Sequence, residues 1–431
     1  MNREILPQIV LAMTIGLFAV IVAVYRTQAP PKPGVWRRGA VAALLVYAVV
    51  SVPVFVTGGM TAVGLVLLLI VLVLPLLALR LSLSRRTSEE SAAESATRVL
   101  VAAGLAAALL IAAGQSLSLL GRVDPRTVVI VIAVIAALVV IGQGLAAGSR
   151  AGSLAVWLLI LPALIAIALG IFLGSVKEAV VPIIEVAGPA PMAVLAIALA
   201  VFVIGWCDAG LRQLVSAASG TTATDTSDPE DATAPDAPGP GWWRIWLAAA
   251  VIVVVIAFGQ LMFLGGAVLA PSLQFFVLPA NLDLVPGLAP VLLAIATVLF
   301  TALVAIVLAG VKTAIEPVVG IGWPWVAGVA GLAAVIGLFD PGLDRVLLVT
   351  SLAAAALVGA QLGGRSVNRG VVAGLVTAII CVIALAVASR LTWEVAAVLA
   401  TAVVLVVALA GARLGSAEAD DSKTSTQESS A

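Results

Sequence analysis

An ammonium and a carboxylate stand one helical turn apart in the stretch "AGVKTAIEPVV", residues 309–319. Lys312 and Glu316 follow an apolar run, Val291 to Leu308, in a chain with only 10% charged residues. A charge at the centre of a bilayer costs at least about 2.5–3.5 kcal/mol on insertion scales, so charges near apolar runs point to function. Two roles fit Lys312. Its stem can lie on apolar surface while the amine reaches cytoplasmic headgroups, with Glu316 as a weak partner. Or the amine can point inward into the bundle, with Thr313 assisting. The other polar residues within apolar runs are Gln115, Ser116, Gln143, Asp208, Arg212 and Gln260. A single glutamine there reads first as an interhelical hydrogen bond. Asp208 and Arg212, four apart, read as a self-compensated pair at the cytoplasmic surface.

Several chemistries are excluded. With no histidine there is no imidazole metal site, haem ligation or histidine-dependent triad. The two cysteines, Cys207 and Cys381, both lie in apolar runs without a CxxC, which argues against disulfides and zinc. Lys plus Arg equals Asp plus Glu at 22 each, so no nucleic acid or other polyanion is indicated. No phosphate-binding glycine motif occurs between strand and helix. No cofactor, metal or catalytic residue is assigned, and the sequence does not read as an enzyme.

The elements that must hold these residues are apolar helices. The chain has 431 residues and is 63% hydrophobic, with about a dozen apolar runs long enough to cross a hydrocarbon core of ~30 Å. Unbroken runs mean helices, since barrel strands alternate. The runs predict thirteen spans, near 5–25, 39–57, 62–79, 99–120, 127–147, 154–174, 190–211, 245–269, 287–311, 323–339, 345–363, 370–389 and 392–412. Residues 39–57 and 62–79 read either as two spans or as one re-entrant pair. The weak basic flank of the first run marks a retained span rather than a cleaved leader. With the N-terminus outside, sixteen of the Lys and Arg fall on cytoplasmic segments and six outside. The positive-inside rule thus places the N-terminus outside and the C-terminus in the cytoplasm of a cell membrane.

Residues 216–241, acidic and rich in proline, read as a disordered cytoplasmic linker, and the tail 414–431 reads the same way. Trp242, Trp243 and Trp246 read as an interfacial anchor. Residues 271–286 predict a short helix on the outer face. Glycine and proline interrupt span two (Ser51, Pro53, Gly58, Gly59) and span seven (Gly205, Gly210). These spans open two successive five-span blocks, 39–174 and 190–363. Paired interruptions in two halves point to inverted repeats with a site between broken helices. Residues 1–38 then hold the first span and a cytoplasmic loop, and 364–413 two peripheral spans.

In layout and in scattered motifs, the chain resembles the sodium:solute symporter family over residues 5–412. "RRTSEESAAESATRV" lies where that family has a cytoplasmic loop, and "GSRAG" (148–152) resembles its glycine turn. "GWCDAGLRQLVSAAS" (205–219) keeps a Gly-to-Arg spacing, and "GGRSVNRGVVAG" (363–374) is similar to a basic loop before the penultimate span. The resemblance implies an all-α polytopic membrane fold with two inverted five-helix repeats, of the amino acid-polyamine-organocation type. It implies transport of a small organic solute. There are departures. Span six, "SLAVWLLIL", lacks the family's polar residues, and Lys312 with Thr313 replaces its sodium-binding hydroxyl pair. Lysine offers a cation no oxygen. The resemblance therefore implies a sodium-independent transporter, with Lys312 bridging to carbonyls near Ser51 to Thr57. The rival reading is a non-transporting scaffold or sensor subunit working through a membrane-protein partner.

Overall fold

The structure is a computed structural model that describes residues 14–17, 20–22, 24–25, 31–55, 62–83, 91–121, 123–172, 190–219, 242–264, 288–364, 366–387 and 392–428. Among the described residues every regular element is a helix. In chain order they are α1 (Pro33–Phe55), α2 (Ala62–Val71), α3 (Leu74–Leu83), α4 (Ala92–Gly121), α5 (Pro125–Gln143), α6 (Leu145–Phe172) and α7 (Pro191–Cys207). Then follow α8 (Ala209–Ser219), α9 (Trp242–Leu264), α10 (Leu288–Val319), α11 (Trp323–Phe339), α12 (Leu343–Gly363), α13 (Val367–Val387) and α14 (Trp393–Glu428). Among the described residues eight helices are long and apolar enough to cross a membrane, or nine with α7 and α8 counted as one bent span. The chain is a polytopic helical membrane protein.

Local sequence sets the ends. Ser91 and Glu94 form a capping box before α4: Ser91 N–H donates to Glu94 Oε2 at 3.1 Å and Glu94 N–H to Ser91 Oγ at 3.3 Å. Asp124 caps α5 through Thr127 N–H at 3.2 Å, with Pro125 at the first helical position. Leu72 and Val73 form a turn between α2 and α3, just before Pro75, which has no N–H to continue the ladder. The two pieces together, Val63–Leu83, are long and apolar enough for one span.

The bundle is organised around α10. Of its apolar stretch 89% is buried against protein, against 22% for α13 and 39% for α14, which places the last two helices at the periphery. Helix α10 packs chiefly on α4 and α6 and also meets α5, α8, α11 and α1. Lipid supplies no hydrophobic drive between membrane helices, so close approach must come from small residues. Gly148 and Gly152 of α6 supply it here: a Cβ on Gly148 would lie 2.9 Å from Ala309 Cβ, and one on Gly152 2.7 Å from Ile306 Cδ1. Helices α12, α13 and α14 pack through a similar small-residue seam that includes Gly359, Gly370 and Gly374.

Four expectations change. The glycine turn placed at 148–152 lies instead at Gly144, and 148–152 are inside α6. Gly144 takes a φ of +57°, which favours glycine, and its N–H donates to Val140 O at 2.7 Å. Helix α1 runs unbroken through Ser51 and Pro53 to Phe55, while Gly58 and Gly59 lie outside the described residues. Pro317, which the sequence marks as the end of the Lys312 helix, lies inside α10, and the helix continues to Val319 before Gly320 at φ +74°. The last helix extends past Leu414 to Glu428, because elongating a helix already nucleated needs no second nucleation. Residues 220–241 and 271–286 lie outside the described residues, and α8 already occupies 216–219.

Candidate functional site

The break between α7 and α8 is the polar centre of the bundle. The two helices meet at 68° around Asp208, whose backbone is extended. A cysteine–aspartate–alanine–glycine run suits such a break: Asp is a favoured N-cap, and Gly210 lets backbones approach. Asp208 Oδ1 accepts the Leu211 N–H at 2.9 Å, capping α8. Asp208 Oδ2 accepts the Tyr47 hydroxyl at 2.8 Å, from α1. From the third side comes α10: a Cβ on Gly210 would lie 3.1 Å from Gly310 Cα, and one on Gly310 3.9 Å from Asp208 Oδ1. Three core helices thus converge on one carboxylate.

Arg212 extends the cluster one turn along α8. It is buried, and its Nη2 donates to Ser82 Oγ of α3 at 3.3 Å and to the Trp206 carbonyl at 3.4 Å. The expected surface pair of Asp208 and Arg212 therefore lies inside the bundle. The packing of α8 against α1 and of α7 against α3 turns that face inward. On the other side of the break, Trp206 Nε1 donates to Gln361 Oε1 at 2.6 Å, and Gln361 Nε2 donates to Glu94 Oε1 at 2.8 Å. Glu94 and Arg98 of α4 are both buried. Ser51 stands one turn after Tyr47 on the same face of α1, fully buried, and its Oγ has no hydrogen-bond partner among the described residues.

Lys312 forms a second centre at the α5–α6 turn. It is half-buried, and its amine faces the Ile141 carbonyl at 3.5 Å, a long contact. Its stem fills the space beside two glycines: a Cβ on Gly144 would lie 3.2 Å from Lys312 Cδ, and one on Gly322 2.8 Å from Lys312 Cγ. Arg150 donates to Gln143 Oε1 and, at 2.9 Å, to the Val24 carbonyl, while the Tyr25 hydroxyl donates to Leu138 O at 3.0 Å. Two cations and a phenol thus meet the carbonyl end of α5, where a helix dipole favours positive charge.

The other sequence candidates separate. Thr313 Oγ1 bonds back to the Gly310 carbonyl at 2.8 Å, and Glu316 is exposed. The expected bridge from Lys312 to carbonyls near Ser51 is replaced by the contact to Ile141, and Thr57 lies outside the described residues. Gln115 donates to Asp340 Oδ1 at 3.4 Å, at the far end of α4 from Glu94, and its neighbour Ser116 is buried. The side chain of Gln260 lies outside the described residues. Sequence reasoning passed over Tyr47, Ser82, Glu94, Arg98, Trp206 and Gln361. For Glu94 and Arg98 a signal existed, since they are four apart after a capping-box pattern. For Tyr47, one of two tyrosines in the chain, the signal was a phenol in the middle of an apolar run.

A deeply buried helix beside a broken one, with polar groups gathered at the break, is an arrangement that secondary transporters also use. No family model matches the sequence, and no curated protein matches it. Among solved structures, a Na+-coupled sialic acid symporter in its substrate-bound outward-open state matches with a TM-score of 0.61. The alignment covers 94% of this chain and 97% of the symporter at 12% identity, so the likeness is one of fold. The chain is a multi-pass membrane protein with a secondary-transporter fold.

Proposed function

We propose that this protein is a sodium-independent secondary transporter of a small organic solute. It lies in the cell membrane with the N-terminus outside and the C-terminus in the cytoplasm. The observation that carries the reading is the α7–α8 break, where Asp208 meets Tyr47 of α1 and the Gly310 backbone of α10. Unwound segments at a bundle centre are where transporters of this fold hold solutes and ions. Residues 39–174 and 190–363 are the two inverted repeats, with α13 and α14 outside them. Sodium independence rests on Lys312 standing in place of a hydroxyl of the resembled family, since an amine offers a cation no oxygen. Thr313 supports it, since its hydroxyl is spent on its own helix.

Helix α6 favours the second reading, a membrane scaffold acting through a partner protein, because Leu154–Ile160 carries no charged, amide or hydroxyl side chain. Reconstitution separates the two. Purified protein in proteoliposomes, given a panel of labelled organic solutes with and without a sodium gradient, should show saturable uptake that ignores sodium. Absence of saturable uptake for every solute, together with a stoichiometric co-purifying membrane protein, supports the scaffold instead.

A further inference from the structure

A carboxylate offers about four acceptor positions, and Asp208 takes the Tyr47 hydroxyl and the backbone N–H groups of Leu211 and Gly210. The residue is half-buried, between buried Cys207 and Gly210, within the apolar bundle. These donors tie the carboxylate to two different bodies: Leu211 and Gly210 belong to α8, and Tyr47 to α1.

We infer that Asp208 is a proton-binding hinge, so that a proton is the coupling ion of the transport proposed above. In the charged state the carboxylate caps α8 and holds it to α1 through Tyr47. The proton comes from water reaching the break and adds to one carboxylate oxygen. The neutral carboxyl then loses its charge–dipole attraction to the α8 N-terminus and its charge-assisted bond from Tyr47. Tyr47 fits both states, because a phenol oxygen can donate to a carboxylate or accept from a carboxyl O–H. Ser51, one turn on, offers a buried hydroxyl free to take a partner when α8 shifts. Release of the proton restores the charged clamp and the original angle.

The groups around Asp208 make this charge change consequential. Tyr47 faces it from α1, and Cys207 and Arg212 from its own broken helix. Glu94 and Arg98 of α4 reach the Cys207 side of the break. Lys312 of α10 turns away to Ile141, and Ser82 of α3 is occupied by Arg212. Two buried arginines, Glu94 and Asp208 balance while Asp208 is charged. A proton on Asp208 leaves one positive charge in excess, which is the change that can drive a rearrangement.

Infrared difference spectroscopy of the full chain in lipid, titrated with pH, tests this without knowing the solute. A protonated-carboxyl C=O band present in the native protein should vanish in Asp208→Asn. Hydrogen exchange of residues 203–219, corrected for intrinsic pH dependence, should quicken as that band grows, and become independent of pH in the variant. Tyr47→Phe keeps the acid and should retain the band while moving its midpoint, a control should Asp208→Asn fold poorly. Native and Asp208→Asn spectra that titrate identically overturn the proposal, as does a Tyr47→Phe midpoint that stays put. Either failure leaves sodium-independent uptake to stand or fall on its own assay.

Discussion

Replacing Tyr47 by phenylalanine deletes one oxygen from a fully buried site and leaves the ring in place. That oxygen lies 2.8 Å from Asp208 Oδ2, and the pair joins α1 to the α7–α8 break. A hydrogen bond to a charged group contributes about 1.5–3 kcal/mol, and losing a donor to a buried carboxylate adds the cost of the group left short. Leu211 N–H remains on the other oxygen, so the carboxylate is not stranded. The expected loss is therefore about 2 kcal/mol, within that range rather than above it. Unfolding in mixed micelles by anionic detergent titration measures it. A double-mutant cycle with Asp208→Asn isolates the pair, and a coupling free energy of roughly 1 kcal/mol or more is expected. A Tyr47→Phe change below about 0.5 kcal/mol, the level of an ordinary surface substitution, refutes the reasoning. So does a change of equal size when Asp208 is already Asn.

Ser51→Ala should have the opposite sign, neutral or stabilising by up to about 1 kcal/mol, because the hydroxyl it removes is buried and unbonded. The same detergent titration reads it. Gly310→Ala should destabilise by about 1–3 kcal/mol, since its Cβ would lie 3.0 Å from Gly210 N where the two backbones touch. A variant as stable as the native protein would mean that α8 and α10 can separate at no cost. Deletion of 220–238 should leave the melting temperature in detergent unchanged, because acidic, proline-rich sequence has too little apolar surface to bury.

Much of the helical layout was legible because lipid imposes a single rule, about twenty apolar residues per helix. Each expected span from the second to the last has a helix among the described residues. The break of span seven was legible too, since "GWCDAG" puts a capping residue between two glycines. Turn positions within glycine-rich stretches were not. Gly144, Gly148 and Gly152 look alike in sequence, and only packing decides that the first turns the chain while the others admit α10. The partners at the site were also hidden. Tyr47 and Asp208 are 161 residues apart, Glu94 and Gln361 267, and Ser82 and Arg212 130. No local period encodes such pairings. The inward turn of Arg212 was missed because an i,i+4 pair with Asp208 looks satisfied wherever it sits.

The proposed sodium independence is decided by thermal unfolding in sodium against potassium. A protein that binds sodium only when folded gains about 2.7 kcal/mol at a concentration one hundred times its dissociation constant. The native chain should show the same melting temperature in both salts at every concentration, and equal uptake into proteoliposomes with either cation. A stabilisation that saturates with sodium and is absent with potassium would contradict it.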